Sequence, residues 1–218
     1  MQSDSTRERI LNAAGPIFAQ KGLKKATVRE ICQAAEVNLA SVNYYFGDKL
    51  SLYRATLELA RQMRSKEHPI PSFEYGTKSE DKLNQMIRSL VMRLLPQKSE
   101  PWPVRLMMRE VFNPTEVADD LIANYFRPFF DSLLIVVDEV LGYRLPEIER
   151  TQIGMSIIGQ CLVYRTSQAM IQRMFTEAER ESFTADQLTQ RIHEFTLAAL
   201  KGITPTSPPE IVSINQKT

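Results

Sequence analysis

The sequence predicts an all-α protein: an N-terminal three-helix unit followed by a larger helical domain. Three observations carry that prediction. Apolar residues recur at helical spacing through most of the chain, Val/Ile runs in strict alternation are missing, and prolines fall between the periodic segments. Only eight glycines occur in 218 residues, too few for a fold built on tight turns between strands.

The elements follow in order. Residues 5–21 set Ile10, Leu11, Ala14, Ile17 and Phe18 on one stripe, the buried face of an amphipathic helix. Gly22 follows as a helix-ending glycine. Thr27 reads as an N-cap, with Glu30 three residues later completing a capping box. The second helix then shows Val28, Ile31, Cys32 and Ala35 at i, i+3, i+4 and i+7. A turn at 35–38 leads to Asn38, a good cap for a short third helix at 39–45. Gly47 breaks that helix and Asp48 caps a fourth, whose stripe is Leu50, Tyr53, Leu57 and Ala60.

The stretch "KEHPIPSFEYGTK" at 66–78 carries two prolines and a glycine and reads as a loop. Longer helices are expected at about 79–95, 102–112, 115–142, 147–175 and 184–202, between Pro96, Pro101, Pro103, Pro114 and Pro146. Pro128 falls inside "NYFRPFFDSLL" and predicts a kink or a split there. The tail 204–218 reads as disordered. The expected division is residues 1–50, then 51–203, then that tail.

Composition narrows the function classes. Apolar content of 43% and charged content of 24% are ordinary for a globular chain. The densest apolar run, "SLLIVV" at 132–137, is far shorter than the roughly 20 residues of a membrane span. "MQSDSTRER" lacks the apolar core of a signal peptide. A cytoplasmic protein without a membrane partner is expected. Cys32 and Cys161 sit in apolar helical patterns and read as buried free thiols, with no zinc spacing. The net charge of +1 hides an asymmetry: residues 1–65 hold ten Lys/Arg against six Asp/Glu, a net of +4. One local basic footprint is expected, although scatter of four charges gives the same figure.

The order helix, tight turn, short helix from Thr27 to Phe46 has helix-turn-helix spacing, in which the outer face of the second element enters a DNA major groove. Periodicity sorts that element. Val37, Val42 and Phe46 fall inward, toward Ile31 and Phe18. Leu39, Ala40, Ser41, Asn43 and Tyr44 fall outward. Asn43 and Ser41 offer hydrogen bonds to base edges, and Ala40 or Leu39 offers contact to a thymine methyl. Tyr44, Lys49 and the helix starts suit phosphates, which set register rather than sequence.

On these residues, "TVREICQAAEVNLASVNYYFGDKLSLY" together with "RERILNAAGPIFAQKGLKKAT" resembles the DNA-binding signature of the TetR family of transcriptional regulators, over about residues 6–60. The resemblance implies an all-helical homodimer, usually a repressor of a double-stranded DNA operator, whose C-terminal domain dimerises and binds a small-molecule effector. It places DNA contacts on Thr27, Val28, Leu39, Ala40, Ser41, Asn43, Tyr44, Tyr45 and Lys49. One departure stands out: the family usually has glycine in the turn, and here Glu36 holds that place. Either the turn is re-formed or a left-handed glutamate costs about 1 kcal/mol. Further on, "MMREVFNPTEVADDLIANYFRPFFDSLLIVVDEVLG" and "IGMSIIGQCLVYRTSQAM" resemble the CecR-like subgroup, implying control of export genes and sensitivity to drug-like compounds.

The aromatic and methionine inventory of the C-terminal part is mostly core, with some of it lining an apolar pocket. The residues assigned to that pocket are Trp102, Met108, Arg109, Tyr125, Phe126, Phe129, Gln160 and Tyr164. Arg109, Glu110 and Arg165 lie on helices that partly face inward and need partners. For the arginines these are a carboxylate of the protein or an anionic ligand group. Gly154, Ser156 and Gly159, sharing a face with Ile153, Ile157 and Gln160, suit a close helix approach between two subunits, or else admit a bulky neighbour within one chain.

Catalysis finds little support. "GMSIIG" at 154–159 is one residue too long for a nucleophile elbow. His193-Glu194 lacks the second histidine of a zinc site, and His68 precedes a proline in a loop. The reading is therefore no enzyme, no catalytic residues, no metal and no cofactor. The rivals are a helix-turn-helix protein controlled by a protein partner or by nothing, and a helical enzyme that merely carries the basic unit.

Overall fold

The computed structural model describes residues 2–96 and 100–203, so the expected disordered tail lies outside the described residues. The elements are α1 (Gln2–Lys25), α2 (Val28–Ala35), α3 (Leu39–Phe46), α4 (Lys49–Glu67), α5 (Ser79–Leu94), α6 (Trp102–Phe112), α7 (Ala118–Leu121), a π turn (Ile122–Phe126), α8 (Arg127–Leu141), α9 (Glu147–Thr166), α10 (Gln168–Met174), α11 (Glu177–Glu181) and α12 (Ala185–Lys201). The fold is all-α, as the periodicity predicts.

Helix ends follow local chemistry. At α2, Thr27 Oγ1 accepts from the Glu30 N–H at 3.2 Å while the Glu30 carboxylate accepts from the Thr27 N–H at 3.1 Å. That reciprocal box satisfies two donors the helix cannot use itself. Asn38 caps α3 and Asp48 caps α4, each through the N–H three residues on. Within α1 the backbone kinks at Gly22, with φ 73° and ψ 173°, a conformation open to glycine alone.

Two expected helices differ from the structure. The segment 115–142 is interrupted, because Thr115 turns back onto α6 and helix begins only at Ala118. The effect expected of Pro128 takes the form of the π turn before it, where the Arg127 N–H reaches the Ile122 carbonyl five residues back. A proline ring clashes with the carbonyl four residues earlier, and the extra residue of a π turn relieves that clash. The segment 147–175 breaks at Ser167 into α9 and α10. Thr176 and Glu179 then form a second capping box and start α11, an element the periodicity did not show.

Two compact units result. The first is built from α1–α4 up to Pro69, with α6, α7 and the π turn up to Arg127. Its core joins Ile10, Ala14 and Phe18 of α1, Ile31 of α2, Val42 of α3, Leu52 and Tyr53 of α4, and Leu106 of α6, all fully buried. Each large apolar side chain there contributes about 1.5–3 kcal/mol. The Phe18 and Tyr53 rings meet edge to face at 4.8 Å. Thus the contacts do not separate near residue 50: the first three helices share one core with α4 and α6. Trp102 lies on Gly15 of α1, where a Cβ would stand 2.6 Å from the indole, so α6 approaches α1 as closely as glycine permits.

The second unit runs from Ile70 through α5 and from Pro128 onward. Leu83, Met86 and Ile87 of α5, Leu133 and Leu134 of α8, Ile157 of α9 and Ile192 of α12 are buried in it. Arg150 and Asp138 pair inside it, with Nη2 2.9 Å from Oδ2. Burial pushes the Asp138 carboxyl upward while Arg150 draws it down. Cys32 and Cys161, one in each unit, are free and buried, and burial pushes the Cys161 thiol up to about 12.

At Gly154 the second of the two alternatives holds. A Cβ there would meet Phe130 at 2.7 Å and Leu134 at 2.8 Å, so it admits bulky neighbours within the chain. Ile157 is buried on the same side. Ser156 and Gly159 are exposed, and Met155 and Val163 share that exposure. The outward face of α9 therefore carries Met155, Ser156, Gly159 and Val163.

Candidate nucleic-acid interface

The outward face of α3 is assembled by its caps. Asn38 Oδ1 accepts from the Ser41 N–H at 2.8 Å and from the Ser41 hydroxyl at 2.9 Å. Ser41, expected to face bases, thus spends its only donor on the cap and keeps only lone pairs to offer. Val42 fixes the inner face, fully buried. Leu39 is 56% exposed and Tyr44 83% exposed, and Ala40 and Asn43 are also exposed.

The three adjacent aromatics divide their roles. Tyr44 stands outward. Tyr45 is half-buried against the core, its ring 5.0 Å from that of Tyr44 in an edge-to-face contact. Tyr45 thus supports the Tyr44 ring from the core side. Phe46, expected as core, is half-buried under the guanidinium of Arg7, 5.5 Å from its centroid.

The start of α2 is shaped for anions. Thr27 is exposed, but its hydroxyl oxygen already serves the capping box. Val28 is half-buried beside it. Lys21 stands 2.5 Å from Glu30. Lys21 and the Thr27 N–H hold the Glu30 carboxyl below the usual range, Lys21 contributing most. Lys49 donates to the Lys24 carbonyl at 3.4 Å, which sets its ammonium beside the end of α1. There Lys24 and Lys25 are both exposed. Sequence reasoning passed over this lysine pair. Its signal was the run "KK" two residues before a capping threonine.

The turn itself keeps the left-handed conformation. Glu36 has φ 53° and ψ 49° and is, among the described residues, the one non-glycine at positive φ. Of the two possibilities left open, the turn is not re-formed.

The eight residues assigned to an apolar pocket fall in both units. Trp102, Met108, Arg109, Tyr125 and Phe126 belong to the first unit and Phe129, Gln160 and Tyr164 to the second. Trp102 packs on Gly15. Tyr125 and Phe126 touch each other edge to face at 5.2 Å. Phe129 is buried beneath Arg93, 4.8 Å from its guanidinium. Gln160 turns back to the Ser156 carbonyl of its own helix, and Tyr164 packs on Phe183 at 5.8 Å. Met108 is half-buried on α6.

The first unit does hold a cleft of about 210 Å³, lined by Arg54, Leu57, Glu58 and Arg61 of α4 facing Val117, Asp120, Leu121 and Asn124. It contains none of those eight. Two ion pairs, Arg54–Asp120 at 3.1 Å and Arg61–Glu58 at 2.6 Å, cross or line it.

The charged residues of α6 find partners inside the chain. Glu110 is 2% exposed. It accepts from the Tyr53 hydroxyl at 2.5 Å and from the Thr115 N–H and hydroxyl at 3.0 Å each. Arg109 donates to the Lys21 carbonyl at 3.3 Å and lies over Gly22. Its partner is therefore the carbonyl end of α1, not the expected carboxylate. Arg165 reaches the Leu94 carbonyl at 3.4 Å.

Comparison with known proteins agrees with this geometry. Residues 10–56 match the family of bacterial regulatory proteins of the tetR type. Residues 79–203 match the C-terminal domain of the HTH-type transcriptional dual regulator CecR. The chain is 28% identical over 122 residues to the probable HTH-type transcriptional regulator YttP of Bacillus subtilis, covering 56% of this chain and 58% of that protein. It is 24% identical over 120 residues to the HTH-type transcriptional regulator AcrR of Shigella flexneri, covering 55% and 54%. This chain thus matches little more than half the length of either relative. Among solved structures, a TetR-like transcriptional regulator from a Rhodococcus species superposes with a TM-score of 0.63 at 12% identity, over 91% of this chain and 97% of that one. A putative TetR-family regulator from Mesorhizobium loti gives 0.59 at 17% identity, over 91% and 98%. At such identity these two show the fold alone.

Proposed function

The chain belongs to the TetR family of transcriptional regulators, non-enzymatic DNA-binding proteins, and carries a CecR-like C-terminal domain. From that premise we propose that it is a homodimeric repressor, released from its operator by a small, largely apolar or drug-like molecule. Its place of work is the cytoplasm. Two copies of α3 would enter successive major grooves about 34 Å apart on a near-palindromic site.

One observation carries the DNA reading: α3 is pinned from within by buried Val42 while it offers Leu39, Ala40, Asn43 and Tyr44 outward. The exposed Lys24 and Lys25, with Lys49 beside them, supply the phosphate side. Dimerisation is supported by apolar exposure in the second unit, where Met155 and Val163 of α9 and Phe195 of α12 are all uncovered. Such surface calls for a partner.

The release step needs an element that touches the DNA-binding helices. Helix α4 packs on α1 and α3. Helix α6 also packs on both α1 and α4, with Arg109 on the first and Glu110 on the second. A ligand that favours another setting of α6 would shift the recognition helices by no more than its preference for that state.

A second reading has one observation behind it. The cleft beside α4 carries two ion pairs, Arg54–Asp120 and Arg61–Glu58, and contains none of the residues expected to form an apolar pocket. A protein partner, or no inducer at all, would fit that.

Fluorescence anisotropy on DNA from immediately upstream of the gene, against a scrambled duplex and across a salt series, tests the proposal. Selective, salt-sensitive binding of two chains per site supports the regulator, and loss of that binding on adding an apolar compound supports the inducer. Equal affinity for both duplexes counts against the upstream operator. Selective binding that no apolar compound disturbs favours the second reading.

A further inference from the structure

The turn between α2 and α3 is held from a distance. Glu36 occupies the left-handed region at φ 53° and ψ 49°, where a side chain with a Cβ is strained. The strain sits two residues before the cap of the recognition helix, so a change at Glu36 redirects everything after it. Released from φ 53°, the chain would relax toward right-handed or extended backbone, and α3 would leave at another angle.

Arg9 opposes that relaxation. Its Nη2 donates to the Ala35 carbonyl and to the Glu36 carbonyl, 3.0 Å from each. These carbonyls belong to the C-terminal end of α2, where oxygens lack helical partners and a cation is favoured. The contact spans 27 positions of sequence, so it joins α1 to the turn rather than closing a local loop. Two residues earlier, Arg7 lays its guanidinium over Phe46, the last residue of α3. The first turns of α1 thus hold the turn that precedes the recognition helix and the last residue of that helix.

We propose that Arg9 is a positioning residue for operator binding: its guanidinium holds Glu36 left-handed and so fixes the direction of α3. The proposal rests on the reading of α3 as the recognition helix. It differs from a phosphate contact, because Arg9 works on the turn's carbonyls. It also differs from a general stabilising role, because its value depends on which residue occupies position 36. Glycine there is unstrained, and the brace becomes dispensable.

The test is a double-mutant cycle of Arg9→Ala and Glu36→Gly in the full chain. It is read by amide hydrogen exchange at Val37–Asn43 without DNA, and by affinity across a salt series for a duplex that the wild-type protein selects from a random pool. Arg9→Ala is expected to speed exchange in that stretch and weaken binding about tenfold, with the salt slope unchanged. Glu36→Gly alone is expected to bind like wild type, and the double variant to recover most of the loss. Three results overturn the proposal: exchange untouched by Arg9→Ala, a loss of equal size in the Glu36→Gly background, or a salt slope lowered by about one, which marks a phosphate contact. Arg9→Gln carries the same cycle should the alanine variant not fold. If the wild-type protein selects no duplex, the regulator reading fails, and the exchange measurement still decides what Arg9 does.

Discussion

Tyr53 of α4 gives its hydroxyl proton to the carboxylate of Glu110 on α6 at 2.5 Å, with both residues buried. Burial, together with that carboxylate, pushes the Tyr53 hydroxyl well above the usual phenol range, burial contributing most. The tyrosine therefore stays a donor. Thr115 satisfies the other carboxylate oxygen through its N–H and hydroxyl, so the pair forms a complete buried unit between two helices. Replacing Tyr53 by phenylalanine removes one donor to a charged acceptor and is expected to cost about 1.5–3 kcal/mol. Equilibrium urea unfolding measures it. A loss below about 0.5 kcal/mol, within the scatter of surface changes, would show that the bond carries no net stability.

Gly15 and Trp102 bring α1 and α6 close together in the first unit, with the indole 2.6 Å from where a Cβ would stand. Gly15→Ala forces α6 away from α1 and is expected to destabilise the protein by about 1–3 kcal/mol through overpacking. Trp102 is the only tryptophan in the chain, so intrinsic fluorescence reports its surroundings directly. A shifted emission maximum with a lowered unfolding midpoint is the expected result. Unchanged emission would mean that α6 does not rest on α1 in solution.

How much of this was legible depends on distance along the chain. The ends of α2, α3 and α4 could be read because Thr27 with Glu30, Asn38, Gly47 and Asp48 act on residues within one turn. The capping box of Thr176 and Glu179 was equally local. It was passed over only because the apolar pattern around it is short. The partner of Arg109 is a carbonyl 88 positions away, and nothing in local spacing indicates that. Gly154 and Gly159 look alike in sequence, yet only the first meets Phe130 and Leu134. Tyr44 and Tyr45 are neighbours, and only packing shows which one the core half-covers. The interface was thus readable as a motif, whereas its supports in α1 and α6 required the fold.

The interface makes separable demands on Asn43 and Lys49. Asn43 is exposed on the outward face of α3, so Asn43→Ala is expected to relax discrimination at one or two operator positions by about 1–3 kcal/mol. Lys49 lies beside Lys24 at the end of α1. Lys49→Ala is expected to weaken all duplexes alike and to lower the salt slope by about one. Anisotropy on a panel of single-base operator variants, at several salt concentrations, separates the two. An unchanged base preference for the asparagine variant would remove Asn43 from direct readout.

Acid should loosen the starts of α2 and α4. Glu30 is held below the usual carboxylate range by Lys21 first and by the Thr27 N–H next. Asp48 is held low chiefly by the Ser51 N–H. For each, the folded value lies below the unfolded one. Their contribution is therefore present at neutral pH and lost as pH falls through the lowered folded values. Protonation would weaken the bond from the Thr27 N–H to Glu30 at α2 and that from the Ser51 N–H to Asp48 at α4. The expected outcome is faster amide exchange at the starts of α2 and α4 as pH is lowered below the ordinary carboxylate range, after correction for the intrinsic pH dependence of exchange. Glu30→Gln should abolish the dependence at α2 alone. If the wild-type chain and this variant lose protection at α2 in parallel across the titration, the capping carboxylate is not what acid removes.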